Sequence, residues 1–224
     1  MFSASDSEKP FRRSRAVTIY LNIAPIVEGD GEVVAVPILL RRLIPHLCAD
    51  AMAEILRPIR QPRDRLVHNK DECLKNSILL AAAKLTQLRY RDTASLILVL
   101  CDADEDCART LAGRMSSVAT ESASHHFVST ILAVREYETW FVGAAESLER
   151  FLQLTGDIPE NPEQSGSKKR WIEDRFKGTK YSETIDQARM TAAMDLTLCR
   201  QRCPSFDKLC RDLERFLSLS EEVD

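Results

Sequence analysis

The sequence predicts an α/β fold, a mostly parallel sheet of about four strands flanked by helices, with a C-terminal helical extension. Three observations carry this. Apolar β-branched runs alternate along the chain with segments whose apolar residues recur at helical spacing. The run SLILVLC (95–101) is apolar at every position but its first, as in a central strand covered on both faces. Both strong strands end abruptly in acidic residues.

Residues 1–15 are polar and charged, and a frayed, flexible N-terminus is expected there. The stretch lacks the apolar core of a secretory signal. The run VTIYLNIAPIV reads as a buried strand, and Gly29-Asp30-Gly31 as the turn after it. VVAVPILLRRLIPHLCADAM reads as a helix, in which Pro37 is tolerable only in the first turn and Pro45 should kink or end it. EILRPIRQPRDRLV (54–67) reads as a short strand leading into a basic loop. A helix is expected over about 69–91, capped by Asn69 or Asp71. After the strand ending at Asp102, a helix follows over 107–122, then a strand in FVSTILAVREYE and a helix in TWFVGAAESLERFL. Such alternation implies parallel strands joined by right-handed crossovers. From Gly156 to Tyr181 the chain is rich in Pro, Gly, Ser, Lys and Arg, with a short helix around KKRWIEDRF. Two helices split at Pro204, the second capped by Ser205, complete the reading. The implied organisation is a flexible 1–15, an α/β core over 16–155, and a basic loop with helical extension over 156–224 that packs on the core.

Composition narrows the function classes. Among 224 residues, 44% are hydrophobic and 29% charged, an ordinary globular balance. No apolar run approaches the ~20 residues of a membrane helix, so no membrane association is expected. Lys plus Arg is 31 against 34 for Asp plus Glu, a net charge of −3, so any nucleic-acid contact must come from a local patch or bound cations. The 7 cysteines form no CxxC pair, which fits a reducing cytoplasm and gives no zinc site. Cys199, Cys203 and Cys210 recur at helical spacing and read as small core residues.

Chemistry concentrates in two acidic clusters at strand ends. One is Glu28, Asp30 and Glu32; the other is Asp102, Asp104 and Asp106. Ligands of open α/β sheets collect at such ends. Crowded carboxylates there suit Mg²⁺ or Mn²⁺, which can hold phosphate oxygens and activate water. A lone acidic turn is more often solvated loop; two in one α/β unit favour a metal site. The glycines form no GxxxxGK[ST] loop, and Val34 stands where a dinucleotide fingerprint needs glycine.

These residues resemble a Toprim domain, the fold of topoisomerases, primases and OLD-family nucleases: an apolar strand, V-E-G-x-x-E, a helix, then an apolar strand ending D-x-D. More closely, the chain resembles the Toprim-like prokaryotic family called domain of unknown function 4276. The matching residues are IVEGDGE (26–32), PIRQPR (58–63), LVLCDADEDC (98–107), ILAVREYETWFVGAAESL (131–148), Y-x-E-x-x-D-Q (181–187) and PSF (204–206). The resemblance implies that Glu28, Asp102 and Asp104 are catalytic, Glu28 managing a proton. It implies a metal set of Glu28, Glu32, Asp102, Asp104, Asp106 and Glu138, and a Gly29 that lets the backbone approach a phosphate. Glu136, like Glu138, follows the ILAV strand and lies at the same sheet edge, but Glu138 is the better candidate.

Arg57, Arg60, Arg63 and Arg65 form the densest basic stretch, read either as a solvated arm or as a phosphate clamp. Arg60 and Arg63, with Lys168 and Lys169, are the candidate phosphate or nucleic-acid contacts; Trp171 is either a stacking face or core. The resulting expectation is a cytoplasmic, Mg²⁺-dependent phosphoryl-transfer protein of nuclease type acting on nucleic acid. The resemblance adds an ATPase partner protein in a prokaryotic defence or repair system. A nonenzymatic Toprim-fold binding or regulatory module is the alternative.

Overall fold

The computed structural model describes residues 18–68, 71–88, 93–164 and 166–221. Strand β1 (Ile19–Val27) leads into helix α1 (Asp30–Leu47), followed by β2 (Ala51–Ile55), β3 (Ile59–Arg60), α2 (Arg63–Val67) and α3 (Glu72–Thr86). Next come β4 (Ala94–Asp102), α4 (Ala108–Ser122), β5 (Phe127–Ala133) and α5 (Glu138–Gly143). A 3₁₀ turn spans Ala145–Leu148, and α6 covers Lys168–Glu173. A π-helical turn, Glu183–Gln187, runs into α7 (Ala188–Thr191), with α8 (Leu196–Arg202) and α9 (Pro204–Glu221) after it.

All strand pairs are parallel, in the order β2-β1-β4-β5. The sheet has 5 strands where about four are expected, because β3 pairs with β1 beyond β2 on the same side. The two form one edge interrupted at Leu56-Arg57-Pro58: Leu56 N–H bonds the Ile23 carbonyl, and Gln61 N–H resumes on Val27. Pro58, without an N–H, falls in the gap.

Side chains alternate across the sheet. Leu21, Ile23, Leu96, Leu98, Leu100 and Ile131 face α1, α5 and the C-terminal helices; Ala24, Ile26, Ile97, Val99 and Leu132 face α3 and α4. Met190, Cys199, Phe206 and Leu213 join the first of these cores, so the C-terminal segment completes one face of the sheet. Cys199, Cys203 and Cys210 are free and buried, as their spacing predicts.

Local expectations fail where tertiary packing decides. Helix α1 continues through both Pro37 and Pro45. Pro37 lies beyond the first turn, where the missing N–H leaves the Val33 carbonyl without its helical donor, and Pro45 sits in the last turn, where little helix remains to break. Arg63 and Arg65 lie in the short helix α2 rather than a loop. Ser205 is not a cap: Pro204 opens α9, the favoured first position for proline, and the Ser205 hydroxyl accepts the Trp140 indole N–H at 2.9 Å. Asp71 precedes α3 in a left-handed conformation (φ 61°); Asn69 and Arg91, the other expected limits, lie outside the described residues.

Candidate acidic centre

Because β1 and β4 are adjacent and parallel, with Val27 opposite Leu100, Glu28 and Asp102 emerge at the same sheet edge. They touch: the Asp102 N–H donates to Glu28 Oε2 at 3.0 Å. Glu32 lies in the first turn of α1 and Glu138 opens α5 beyond β5. The carboxyl edge of the sheet thus gathers carboxylates from four separate segments.

Electrostatics ties them together. Burial, then the charges of Glu32 and Asp104, push Glu28 up to about 7 against the relief of its bond from Asp102. Asp102 is pushed well above the usual carboxylate range, first by desolvation and then by Glu28, Glu138, Glu32 and Asp104. Glu138, 3% exposed, is raised to about 7 mainly by burial, with Glu183 and Glu32 adding to it. Burial leads in all three, and the neighbouring carboxylates add to it, so these acids favour holding a proton or sharing a cation.

Gly29 precedes α1, and its missing side chain makes room for that helix's own acid: a Cβ there would stand 2.3 Å from Glu32 Oε2. Gly31 makes room for Gln187, whose Oε1 would stand 2.2 Å from a Cβ.

Arg63 occupies the underside of the loop after β4. Its Nε donates to the Asp102 carbonyl at 3.0 Å and pairs with Asp104 Oδ2 at 3.0 Å, while Nη2 donates to the Ala103 carbonyl at 2.9 Å and binds Asp106. With its side chain 14% exposed, Arg63 is built into this loop. Asp104 itself is left-handed (φ 48°) and donates its N–H to the carbonyl of Arg135, also left-handed (φ 68°). Two non-glycine residues in that region mark a strained junction between the β4 and β5 loops.

The remaining candidates are dispersed. Arg60 pairs with Asp30 at 2.9 Å on the surface. Lys168 is buried, and burial lowers its ammonium pKa. Lys169 Nζ binds Glu183, and its backbone N–H, with the Ser167 hydroxyl, holds Glu136. Glu136 therefore anchors the start of α6. Trp140 and Phe141 are core, and partly buried Trp171 packs against the same core with Arg175 stacked at 4.2 Å.

Sequence reasoning left the roles of Tyr181 and Gln187 unassigned. Tyr181 donates its hydroxyl to Glu138 Oε1 at 2.7 Å, and Gln187 Nε2 donates to Glu32 Oε1 at 3.0 Å. Their only signal was the Y-x-E-x-x-D-Q spacing.

Among the described residues, no three His, Cys, Asp or Glu side chains stand ready at metal-ligand spacing. The donor chemistry nonetheless fits a hard divalent cation: carboxylates at the carboxyl edge of a parallel sheet, with Glu28 and Asp102 raised first by burial and then by neighbouring charges. No described helix is long and apolar enough to cross a membrane.

Comparison with known proteins yields one match. The model of the family "Domain of unknown function (DUF4276)" covers residues 27–214, from the last residue of β1 into α9. No curated protein and no solved structure matches the chain.

Proposed function

The chain belongs to the DUF4276 family, and we propose that it is a divalent-cation-dependent phosphoryl-transfer protein of nuclease type. The observation that supports this is the meeting of Glu28 and Asp102 at one sheet edge, with Glu32, Asp104 and Glu138 close enough to raise their pKa values. Glu28 and Asp102 would hold Mg²⁺ or Mn²⁺ with Glu32, Asp104 and Glu138 around them. The ion supplies Lewis acidity and an activated water. Glu28, at the sheet edge beside Asp102, would be the group that accepts or returns a proton. Nucleic acid is the proposed substrate, with an ATPase as partner protein.

One observation favours a nonenzymatic binding or regulatory module instead. Arg60, Arg63 and Lys169, candidate phosphate contacts, are all engaged with the protein's own carboxylates.

The test is cleavage of single-stranded DNA, duplex DNA and RNA with Mg²⁺ or Mn²⁺, with and without an ATPase encoded alongside, by wild type and Asp102→Asn. Cleavage lost in the variant supports the enzyme; cleavage that survives unchanged refutes this centre. Absence of wild-type cleavage under all conditions favours the module.

A further inference from the structure

The segment Tyr181–Gln187 packs against the acidic centre from the C-terminal third of the chain. We infer that Tyr181 and Gln187 are positioning residues, each holding one outer carboxylate, Glu138 and Glu32 respectively, in orientation for a divalent cation. This rests on the cation-centre reading above.

Every polar position of the Y-x-E-x-x-D-Q motif has a defined contact. Tyr181 holds Glu138, and Gln187 holds Glu32. Glu183 receives Lys169. Asp186 accepts the Ser182 N–H at 3.0 Å and the Arg189 guanidinium at 2.9 Å, which locks the turn. The turn is π-helical, a geometry that is rare and concentrated at functional sites. Its extra residue per turn changes where the side chains on either side of it fall.

The Gln187 amide is the informative group. It is 1% exposed, and its Oε1 has no hydrogen-bond partner. A buried orphan acceptor costs about 1–3 kcal/mol. Rotating the amide would turn Oε1 toward Glu32, a carboxylate that only accepts, so the observed orientation is the one that serves Glu32. Gly31 leaves the space into which this unpaired oxygen points. Tyr181 is 4% exposed and likewise spends its hydroxyl on a carboxylate. In each case the donor fixes Oε1, and the inference assigns the other oxygen of the same carboxylate to the cation, the usual arrangement behind a metal site.

The experiment measures Mn²⁺ binding by electron paramagnetic resonance of the free ion. It compares wild type, Tyr181→Phe and Gln187→Met, each also combined with Glu138→Gln or Glu32→Gln. Each single variant should weaken Mn²⁺ about 10-fold or more. Tyr181→Phe should add nothing further once Glu138 is glutamine, and Gln187→Met nothing once Glu32 is glutamine; a merely structural role would give additive losses. Melting in EDTA identifies a variant that fails to fold, and if Gln187→Met does, Tyr181→Phe decides. Variants that bind Mn²⁺ as wild type does, or losses that add, overturn the inference and leave the centre standing. A wild type that binds no Mn²⁺ overturns both.

Discussion

Replacing Glu138 with glutamine removes the ionisable group from the most enclosed carboxyl of the centre while keeping an oxygen to accept the Tyr181 hydroxyl. In the folded chain this carboxyl is raised from 4.5 to about 7, chiefly by burial. The native state therefore binds its proton more tightly than the unfolded chain. That contribution to stability is complete below 4.5 and is lost as pH rises through about 7. At ~1.4 kcal/mol per pH unit, ionisation of Glu138 costs the fold about 3 kcal/mol near pH ~8 and about half that near pH ~5.5. Glutamine has no such cost. Glu138→Gln should thus be more stable than wild type in EDTA, by about 3 kcal/mol near pH ~8 and about 1.5 near pH ~5.5. Urea titrations at the two pH values measure this through the midpoint, with the slope unchanged. Saturating Mn²⁺ should reverse the order, because only wild type keeps the anionic ligand. A variant no more stable than wild type near pH ~8, or a gain equal at both values, would refute the account of a buried, repelled carboxylate.

Wild type itself should melt higher when millimolar Mg²⁺ or Mn²⁺ is added near pH ~8, by mass action on the folded state; scanning calorimetry checks it. Asp102→Asn should keep or gain stability in EDTA and lose most of that metal-induced rise, since a repelling charge and a ligand vanish together. Gly31→Ala forces a Cβ to within 2.2 Å of Gln187 Oε1 and 3.0 Å of the Glu183 carbonyl, and should cost about 1–3 kcal/mol in chemical denaturation. Arg63→Ala should release the loop of residues 102–106 and raise amide hydrogen exchange at Ala103, Asp104 and Asp106, with weaker Mn²⁺ binding. If exchange there is unchanged, Arg63 does not brace the loop.

The sheet and half of the centre are legible from residue order alone. SLILVLC cannot be soluble except between two helical layers, and acids placed directly after apolar strands must sit at a sheet edge. Parallel pairing then brings Glu28 to Asp102. Other features depend on partners remote in sequence. Arg63 reads as a solvated arm or a phosphate clamp because its use, the carbonyls of Asp102 and Ala103, lies 39 and 40 residues away. Lys168 reads as a candidate nucleic-acid contact in a basic run, but Glu136 anchors the start of α6 and the helix turns that position inward. Gln187 carries no signal beyond the Y-x-E-x-x-D-Q spacing, since its amide matters only beside Glu32 and Gly31. Proline 37 misleads in the opposite direction: the cost of one lost helical bond is small beside the burial of Leu39, Leu40, Leu43 and Ile44 against the sheet.

The hydrogen bond between Gln187 and Glu32 spans 155 residues. On a ribosome adding about 5–20 residues per second, Glu32 waits roughly 8–30 s for its donor. During that interval the residues of β1, α1 and β4 have already been made, Glu28 and Asp102 among them. The outer carboxylates are steadied only when the π-helical turn arrives and docks. A nascent or C-terminally clipped chain would carry the inner pair without its supports. Completion of the centre is thereby coupled to synthesis through Gln187.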